Sequence, residues 1–460
     1  MQDCHRQLKP RWLTSPDADY HLLTLLFLAM LLCVLAIFGY TPTNDGEGYL
    51  DYARICLAEG QPYPTISHIY GQPYVWNLGI INAVALSLWL CSSLVPLLVV
   101  LSVMKALTAL LIAKLAEHLF NHRTGRMALL LFMFYPNNWG QSTMLSSEIP
   151  MVFFALFGLW LLLRCFHLPV PSFFRKWSDS RYRFTILFLA GALLAVANWF
   201  RPVAMIYLAS ALVFLLLFDR RHFLLTAVGV IAGYACIIAI IGTGSYLRTG
   251  YFLYQSDTMW FNMAEATYET DTRPHYGEDP FPPGTARYID DMAHKTAIEC
   301  SQIWRERSVE WLRQHPWQYL AKVPSRLYYT YQNDIDNISA FLSDKHDAAQ
   351  NYVTLPLSEL ATKHNFSSLT AVQWLALLAT ACYLFLIVSA FFSTIWLLST
   401  RQFKSAFLPV FIVVAGSLAL VLAVHGETRF KAPLIPFLFI LASVGIERLS
   451  SRLKQLSKQQ

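Results

Sequence analysis

Three carboxylates stand in short polar segments that border long apolar runs. Asp45 and Glu47 lie in the segment 40–60, and Glu148 directly precedes an apolar run. A carboxylate at a bilayer boundary is costly unless it is solvated or paired, so such groups often have a function. One function is general-base catalysis, the removal of a proton from an attacking hydroxyl. Helix capping explains the same residues equally well, because Asn44 and Glu47 have capping-box spacing and acids favour a helix N-terminus.

Four cations occur in or beside the apolar runs, namely Lys105, Arg201, Arg429 and Lys431. Arginine binds a phosphate through paired hydrogen bonds, so these residues predict a phosphate site beside a general base. Two other interpretations stay open for them. Long cationic side chains snorkel at membrane interfaces, and Glu427 and Arg429 can simply pair with each other. Lys105 lies inside an apolar run, where a cation either has a function or pairs with an acid of the bundle.

Long apolar runs dominate the chain and indicate the class of protein that holds these side chains. Of 460 residues, 55% are hydrophobic and only 14% are charged, and the mean hydropathy is +0.41. The net charge of +6 comes from short basic clusters between apolar runs, which is not the pattern of a nucleic-acid-binding protein. We predict an all-α polytopic membrane protein of about ten spans. The predicted spans are 21–39, 95–117, 126–144, 149–166, 184–200, 203–218, 223–243, 371–398, 405–424 and 431–446.

The run 75–91 is ambiguous, and the distribution of basic residues decides how it is interpreted. If it does not cross, the basic connections 118–126, 167–183, 219–222 and 401–404 all lie on the side of both termini. That arrangement obeys the positive-inside rule and places both termini in the cytoplasm. We therefore predict an interfacial or re-entrant segment at 75–91. The acids and outer cations then share the extracytoplasmic side.

The same topology divides the chain into three parts. Residues 1–243 form an N-terminal transmembrane module with a large first outer loop at 40–94, and residues 371–460 form the C-terminal transmembrane helices. Between them, 244–370 contains no apolar run of span length and is predicted to be a small extracytoplasmic helical region. The cysteines show no metal-binding spacing. The sequence neither requires a divalent metal nor excludes one.

Four motifs, taken in order, resemble those of the GT-C membrane glycosyltransferases, in the branch of aminoarabinose transferases and protein O-mannosyltransferases. The motifs are Asn44-Asp45-Gly46-Glu47 followed by Tyr49, Ala53 and Gly60; Pro136 to Ser147-Glu148; Arg201-Pro202; and Glu427, Arg429 and Phe430 followed by Pro433 and Pro436. The resemblance covers the transmembrane scaffold and hardly any of 244–370. It implies a GT-C-like bundle with juxtamembrane helices in the first outer loop.

The resemblance also implies a reaction, the transfer of a sugar from a polyprenyl-phosphate carrier to an acceptor protein or glycolipid. The reaction would take place on the outer face of a bacterial inner membrane. In this scheme Asp45 is the base with Glu47 as its rival, and Glu148 orients the acceptor or a metal. Arg201 and Arg429, with Lys105 or Lys431, bind the donor phosphate. Tyr49 and Glu427 belong to the same motifs.

Two other classes of function stay open. A transporter or flippase for a lipid-linked saccharide also needs outer charges and a membrane groove, but it usually has charges deep in several spans or a repeated topology. Lys105 is nearly alone within the spans, and the chain has no visible repeat. A structural or assembly protein is the third class, and the concentration of polar motifs on one side argues against it.

Overall fold

The computed structural model describes residues 18–59, 75–165, 180–218, 220, 223–267, 287–342, 371–423 and 426–457. Within these ranges the chain is helical and has no β-strand. Gly60 of the first motif lies outside the described residues, as do the stretches 268–286 and 343–370 of the predicted extracytoplasmic region.

Nine α-helices are described in the N-terminal part of the chain. They are α1 (Ala18–Phe38), α2 (Asn44–Ala58), α3 (Leu78–Cys91), α4 (Val95–Leu119), α5 (His122–Met133), α6 (Glu148–Arg164), α7 (Ser180–Phe200), α8 (Met205–Phe218) and α9 (Phe223–Thr249).

Eight more α-helices follow in the described residues after α9. Short helices lie between the two transmembrane parts, and long apolar helices return near the C-terminus. They are α10 (Met259–Ala266), α11 (Ala297–Gln314), α12 (Pro316–Ala321), α13 (Val323–Tyr331), α14 (Asp336–Leu342), α15 (Ala371–Ser399), α16 (Phe403–Ala423) and α17 (Ile435–Leu456).

The long apolar helices identify a multi-pass membrane protein. Among the described residues, six helices are long and apolar enough to cross a bilayer, namely α1, α4, α7, α9, α15 and α16. A seventh span results if the bent pair Pro136–Thr143 and Glu148–Arg164 counts as one. The predicted number of ten spans is therefore not confirmed, whereas the all-α membrane fold is.

The predicted span 126–144 is wrong as a continuous helix. Helix α5 ends at Met133, and two short 3-10 turns follow before α6 begins, with a bend of 113° between the turns and α6. The Asn138 amide donates to the carbonyl of Phe132 at 2.7 Å, and the Trp139 indole donates to the carbonyl of Met133 at 3.0 Å. These side chains satisfy carbonyls that a continuing helix would have bonded, so the helix can end inside the bundle.

The predicted span 431–446 differs from the observed helix at both ends. A 3-10 turn covers Thr428–Lys431, and α17 begins only at Ile435 and continues to Leu456. The polar turn before α17 carries Arg429, so it presents the fourth motif at the end of the bundle.

Helix α3 occupies most of the ambiguous run 75–91. Its 14 residues correspond to roughly 21 Å at 1.5 Å per residue, less than the thickness of about 30 Å that a span must cover. Ser92 follows in a left-handed conformation and turns the chain into α4. The location of α3 at the membrane interface stays a prediction.

Helices α1 and α5 run side by side in the same direction. At one end of the bundle the Tyr20 hydroxyl donates to the carbonyl of His122 at 2.9 Å. At the other end the backbone amide of Thr41 donates to the carbonyl of Thr143 at 2.8 Å. Helices α1 and α7 finish at this second end, and α6 and α17 begin there, so all four sequence motifs meet at one end of the bundle.

Two glycines let α7 and α9 approach until their backbones touch. A Cβ atom at Gly191 would overlap the carbonyl oxygen of Val230, and one at Gly233 would overlap the carbonyl oxygen of Phe188. Close packing of this kind is how small residues hold membrane helices together.

We expect Gly233→Ala to destabilise the folded protein by about 1–3 kcal/mol, because α7 and α9 must separate to admit the methyl group. Gly244→Ala is the matched control, since it lies on the same helix and a Cβ there meets nothing within 4 Å. Its midpoint of thermal unfolding in detergent should stay equal to wild type or rise. Equal midpoints for the two variants would contradict the close contact.

Candidate active site

The first turn of α2 places Asp45 at the end of the bundle. Thr43 is the N-cap, and its hydroxyl accepts a hydrogen bond from the backbone amide of Gly46 at 3.1 Å. The N-cap of α2 is therefore Thr43, one residue before the position that the capping-box alternative requires. The Glu47 carboxylate instead accepts from the Tyr40 hydroxyl at 2.7 Å, and burial, followed by Glu47 itself, raises the pKa of Tyr40.

One carboxylate oxygen of Asp45 faces two guanidinium groups. Its Oδ2 atom lies 2.6 Å from Nη1 of Arg429 and 3.9 Å from Nη2 of Arg201. These arginines come from distant parts of the chain, one after α7 and one in the turn before α17. Asp45 thus joins the first, third and fourth motifs.

Glu148 pairs with the same Nη2 nitrogen of Arg201 and lies closer to it than Asp45 does. Its Oε1 atom lies 2.8 Å from Nη2 of Arg201, and its Oε2 accepts from the Ser146 hydroxyl at 2.8 Å. The Nε–H of Arg201 donates to the Ser147 hydroxyl oxygen at 2.8 Å. Two neighbouring residues at the start of α6 therefore hold one guanidinium in a fixed orientation.

The cluster becomes more exposed from Arg201 outward. The side chain of Arg201 is 13% exposed and that of Glu148 17%, whereas Asp45 is 32% and Arg429 41% exposed. Arg429 also pairs with Glu427 at 3.0 Å, as the sequence allowed. Asp45 first, then Glu427, raises the pKa of Arg429, so this guanidinium stays charged. An incoming anion would reach Arg429 first and Arg201 afterwards.

Tyr49 is a buried residue that contacts the cluster through hydrogen bonds and does not face solvent. Its hydroxyl oxygen accepts from the Asn77 amide at 2.8 Å; the same amide approaches the Ser147 hydroxyl at 3.4 Å. Burial raises the pKa of Tyr49 to about 12, so the phenol remains neutral. The chain Tyr49, Asn77 and Ser147 thus leads to Arg201 and ties α2 to α6.

Lys431 is engaged elsewhere. It is fully buried, and its Nζ lies 3.1 Å from Oδ1 of Asp334 and 2.7 Å from the carbonyls of Asn333 and Thr428. The Tyr135 hydroxyl donates to the other oxygen of Asp334 at 2.6 Å. We therefore interpret Lys431 as a structural cation that anchors the turn carrying Arg429, and not as a phosphate ligand.

Sequence reasoning missed Asp334 and Asp336, which lie in the predicted extracytoplasmic region. Asp336 accepts a hydrogen bond from the Thr428 hydroxyl, and burial raises the pKa of Asp336. Nothing in the sequence links these acids to a turn more than 90 residues away. Their contacts show that 333–336 holds the fourth motif in place.

Lys105 lies apart from the arginines in α4 and is buried. It donates to the Oε1 atom of Gln141 and stands 4.9 Å from the centre of the Phe132 ring. Glu148 and Lys105 line the same small cavity. Within the described ranges, no group of three or more His, Cys, Asp or Glu side chains is arranged to hold a metal ion.

Comparison with known proteins shows which family model and which solved structures the chain is similar to. A family model described as dolichyl-phosphate-mannose-protein mannosyltransferase matches residues 80–246. The apo oligosaccharyltransferase of Archaeoglobus fulgidus is similar in structure, with a TM-score of 0.54 and 13% identity over 98% of this chain and 52% of that one. No curated protein matches the sequence.

A second structure of the archaeal enzyme AglB from the same organism, in complex with an inhibitory peptide and a dolichol-phosphate, gives a TM-score of 0.55. Its identity is 14% over 97% of this chain and 52% of that chain. The fold is that of the GT-C membrane glycosyltransferases. The chain spans about half the length of these oligosaccharyltransferases, so the GT-C likeness covers the membrane bundle and its outer segments.

The GT-C fold explains why the motifs are so widely separated. Asp45, Glu148, Arg201 and Arg429 each stand where a membrane helix begins or ends, or in the short segment beside it. Rigid helices thereby position side chains that share no local sequence context. The cluster of these four residues is the candidate active site, and the distance between Asp45 and Arg429, 384 positions along the chain, is spanned by the bundle itself.

Proposed function

We propose that this protein transfers a sugar from a polyprenyl-phosphate carrier to an acceptor on the extracytoplasmic side of the membrane. The observation that carries the proposal is the contact of one carboxylate, Asp45, with two arginines at the end of an apolar bundle. A base and a phosphate site must be adjacent for this reaction, because the sugar carbon under attack is bonded to the phosphate oxygen.

The reaction assigns a separate task to each group. The acceptor hydroxyl attacks the anomeric carbon, a new C–O bond forms, and the bond from that carbon to the phosphate oxygen breaks. Asp45 takes the hydroxyl proton. The electron pair of the broken bond stays on the phosphate, whose added negative charge Arg201 and Arg429 stabilise.

Donor binding would also release the base in this arrangement. Nη1 of Arg429 lies 2.6 Å from Oδ2 of Asp45. A phosphate that arrives at Arg429, the more exposed arginine, offers it a competing anion. Oδ2 of Asp45 is then less engaged by Arg429 and more basic, so donor binding would favour removal of the acceptor proton.

The remaining residues of the site have supporting tasks. Glu148 would hold Arg201 and orient the acceptor, and Tyr49 would hold Ser147 in position through Asn77. Glu427 would orient Arg429. The donor sugar is a hexose or a pentose, and the acceptor is a protein or a glycolipid. The family description and the dolichol-phosphate of AglB support a polyprenyl-phosphate donor.

The location follows from the charge distribution of the loops. We propose that both termini face the cytoplasm of a bacterial cell, with the protein in its inner membrane. We also propose the three-part division into 1–243, 244–370 and 371–460, in which Asp334 and Asp336 connect the second part to the third.

Product formation by the purified protein in detergent tests the proposal. Undecaprenyl-phosphate esters of labelled sugars are mixed with the protein and with purified membrane glycolipid or denatured envelope protein. The label transferred to the glycolipid or protein is then counted. A transporter or flippase has no membrane to work across in detergent and would form no glycosylated product. Absence of any transfer across donors and acceptors would contradict the enzymatic proposal.

We expect Arg201→Ala to reduce turnover by about 10²–10³-fold, because the substitution removes a hydrogen-bond donor that would stabilise the leaving phosphate. Arg54→Ala is the matched control, since Arg54 is 63% exposed and pairs across one helical turn with Asp51. Single-turnover kinetics with saturating donor measures the effect. Equal rates for the two variants would contradict a role for Arg201 at the phosphate.

A further inference from the structure

A small cavity lies beside Glu148, and Asp45 is not among the residues that line it. Its volume is about 50 Å³, room for three to five waters at about 10–15 Å³ each. Polar side chains from α4, the 3-10 turns, α6 and α14 line it. They include Lys105, Thr108, Asn138, Gln141, Glu148 and Asn337.

The charges around the cavity argue against an anionic ligand. Lys105 contributes a positive charge, but Glu148 and Asp334 line the same space. A phosphate would meet two carboxylates there for one ammonium group. Arg201 and Arg429, which share carboxylates at the more exposed end of the site, are the better phosphate ligands.

The size of the cavity argues against the lipid tail. An isoprenoid chain needs a long apolar surface, whereas this space is small, and amide, hydroxyl, ammonium and carboxylate groups line it together with apolar side chains such as Phe132 and Ile149. Buried polar groups of this kind require hydrogen-bonding partners. A neutral ligand with several hydroxyl groups supplies such partners, because each hydroxyl both donates and accepts.

The side chains at the base of the cavity retain capacity for such a ligand. Among the described residues, the Lys105 ammonium donates to Gln141, and an ammonium group has three donors in total. The Thr108 hydroxyl donates to the carbonyl of Met104 at 2.8 Å, which leaves its oxygen able to accept. The cavity therefore offers a ligand both hydrogen-bond donors, from Lys105, and a hydrogen-bond acceptor, the Thr108 oxygen.

We propose that this cavity, lined by Lys105, Gln141 and Glu148, binds the hydroxyl-bearing edge of the transferred sugar and selects which sugar is used. The inference rests on the proposed function. The anomeric carbon is bonded to the phosphate, and Glu148 contacts Arg201 at 2.8 Å while lining the cavity. A phosphate at Arg201 therefore brings its own sugar to this space, which is why the donor sugar is chosen over a sugar of the acceptor.

The test compares binding of sugar-bearing and sugar-free carriers to the full-length protein. The ligands are undecaprenyl phosphate and its glucose, mannose, galactose, N-acetylglucosamine and aminoarabinose esters. The variants are Lys105→Met, which keeps the shape of the side chain, and Gln141→Leu. Lys114→Met is the control, because Lys114 lies on the same helix and pairs with Glu117 at 3.0 Å.

The wild-type protein is expected to bind one sugar ester more tightly than its epimers. Lys105→Met and Gln141→Leu should weaken binding of that ester and reduce its preference by about tenfold or more, since a hydrogen-bonding site rejects a mismatched hydroxyl pattern strongly. The Kd for sugar-free undecaprenyl phosphate should change less than twofold. Lys114→Met should resemble wild type for all ligands.

Two results would overturn the inference. One is unchanged sugar preference in both variants; the other is equal loss of affinity for sugar-free and sugar-bearing carriers, which would make the cavity a phosphate site. Binding is measured without transfer, so the failure of the proposed reaction is a separate result. A protein that selects sugar esters through the cavity but forms no product would retain this inference and lose the catalytic proposal.

Discussion

Asp45→Asn is expected to lower the rate of sugar transfer by about 10²–10⁴-fold, the usual contribution of a positioned general base. The amide cannot take a proton, but it retains an oxygen that can accept a hydrogen bond from Arg429. The fold should therefore change little, and donor should bind at least as tightly as to wild type, because its phosphate no longer competes with a carboxylate for Arg429. The measurement is kcat and KM with saturating acceptor, and the loss is expected in kcat.

Asp51→Asn is the control for this variant. Asp51 lies on the same helix, is 67% exposed and pairs with Arg54 at 3.4 Å, away from the arginine cluster. We expect its kcat to equal that of wild type. Glu47→Gln tests the rival base and should cost much less than Asp45→Asn, because Glu47 is occupied by Tyr40. The reverse order of the two losses would transfer the role of base to Glu47.

Lys431→Met is expected to destabilise the folded protein by about 3–5 kcal/mol, because it leaves the largely buried Asp334 carboxylate without its partner. Lys431 is fully buried, and its ammonium also bonds two backbone carbonyls. The midpoint of thermal unfolding in detergent and the yield of folded protein measure the loss. Transfer activity should fall with the folded fraction.

A second substitution separates the ion pair from simple packing. Lys431→Met combined with Asp334→Asn removes both charges, so no uncompensated carboxylate remains in the bundle. We expect the double variant to unfold at a higher temperature than Lys431→Met alone. A double variant that is less stable than either single one would show that the pair does not account for the burial of Lys431.

The sequence predicts the long helices well and the interrupted ones poorly. The apolar runs of the sequence place α1 and α4 within a few residues of their observed bounds. The stretch 126–144 averages as apolar, yet Asn138 and Trp139 end the helix by bonding its last carbonyls. Hydropathy does not register such a bond, because the bond depends on where the side chain points after the backbone has turned.

The candidate site also has one part that can be predicted from the sequence and one part that cannot. Its arginines and acids can be selected from sequence, since each is a charge beside an apolar run that calls for a partner. Which cation meets which acid cannot be selected, because Lys431 and Arg429 are two residues apart and face different neighbours. Lys431 contacts Asp334, whereas Arg429 contacts Asp45. Only the packed bundle distinguishes these two directions.

The contact between Asp45 and Arg429 has a consequence for how the protein is made. The carboxylate is translated 384 residues before the guanidinium of Arg429. Until Arg429 has been made, the only one of the two site arginines available to Asp45 is Arg201, whose Nη2 lies 3.9 Å from Asp45 Oδ2 in the folded protein. A ribosome that stalls before the turn Thr428–Lys431 would leave an inserted protein whose candidate active site lacks Arg429.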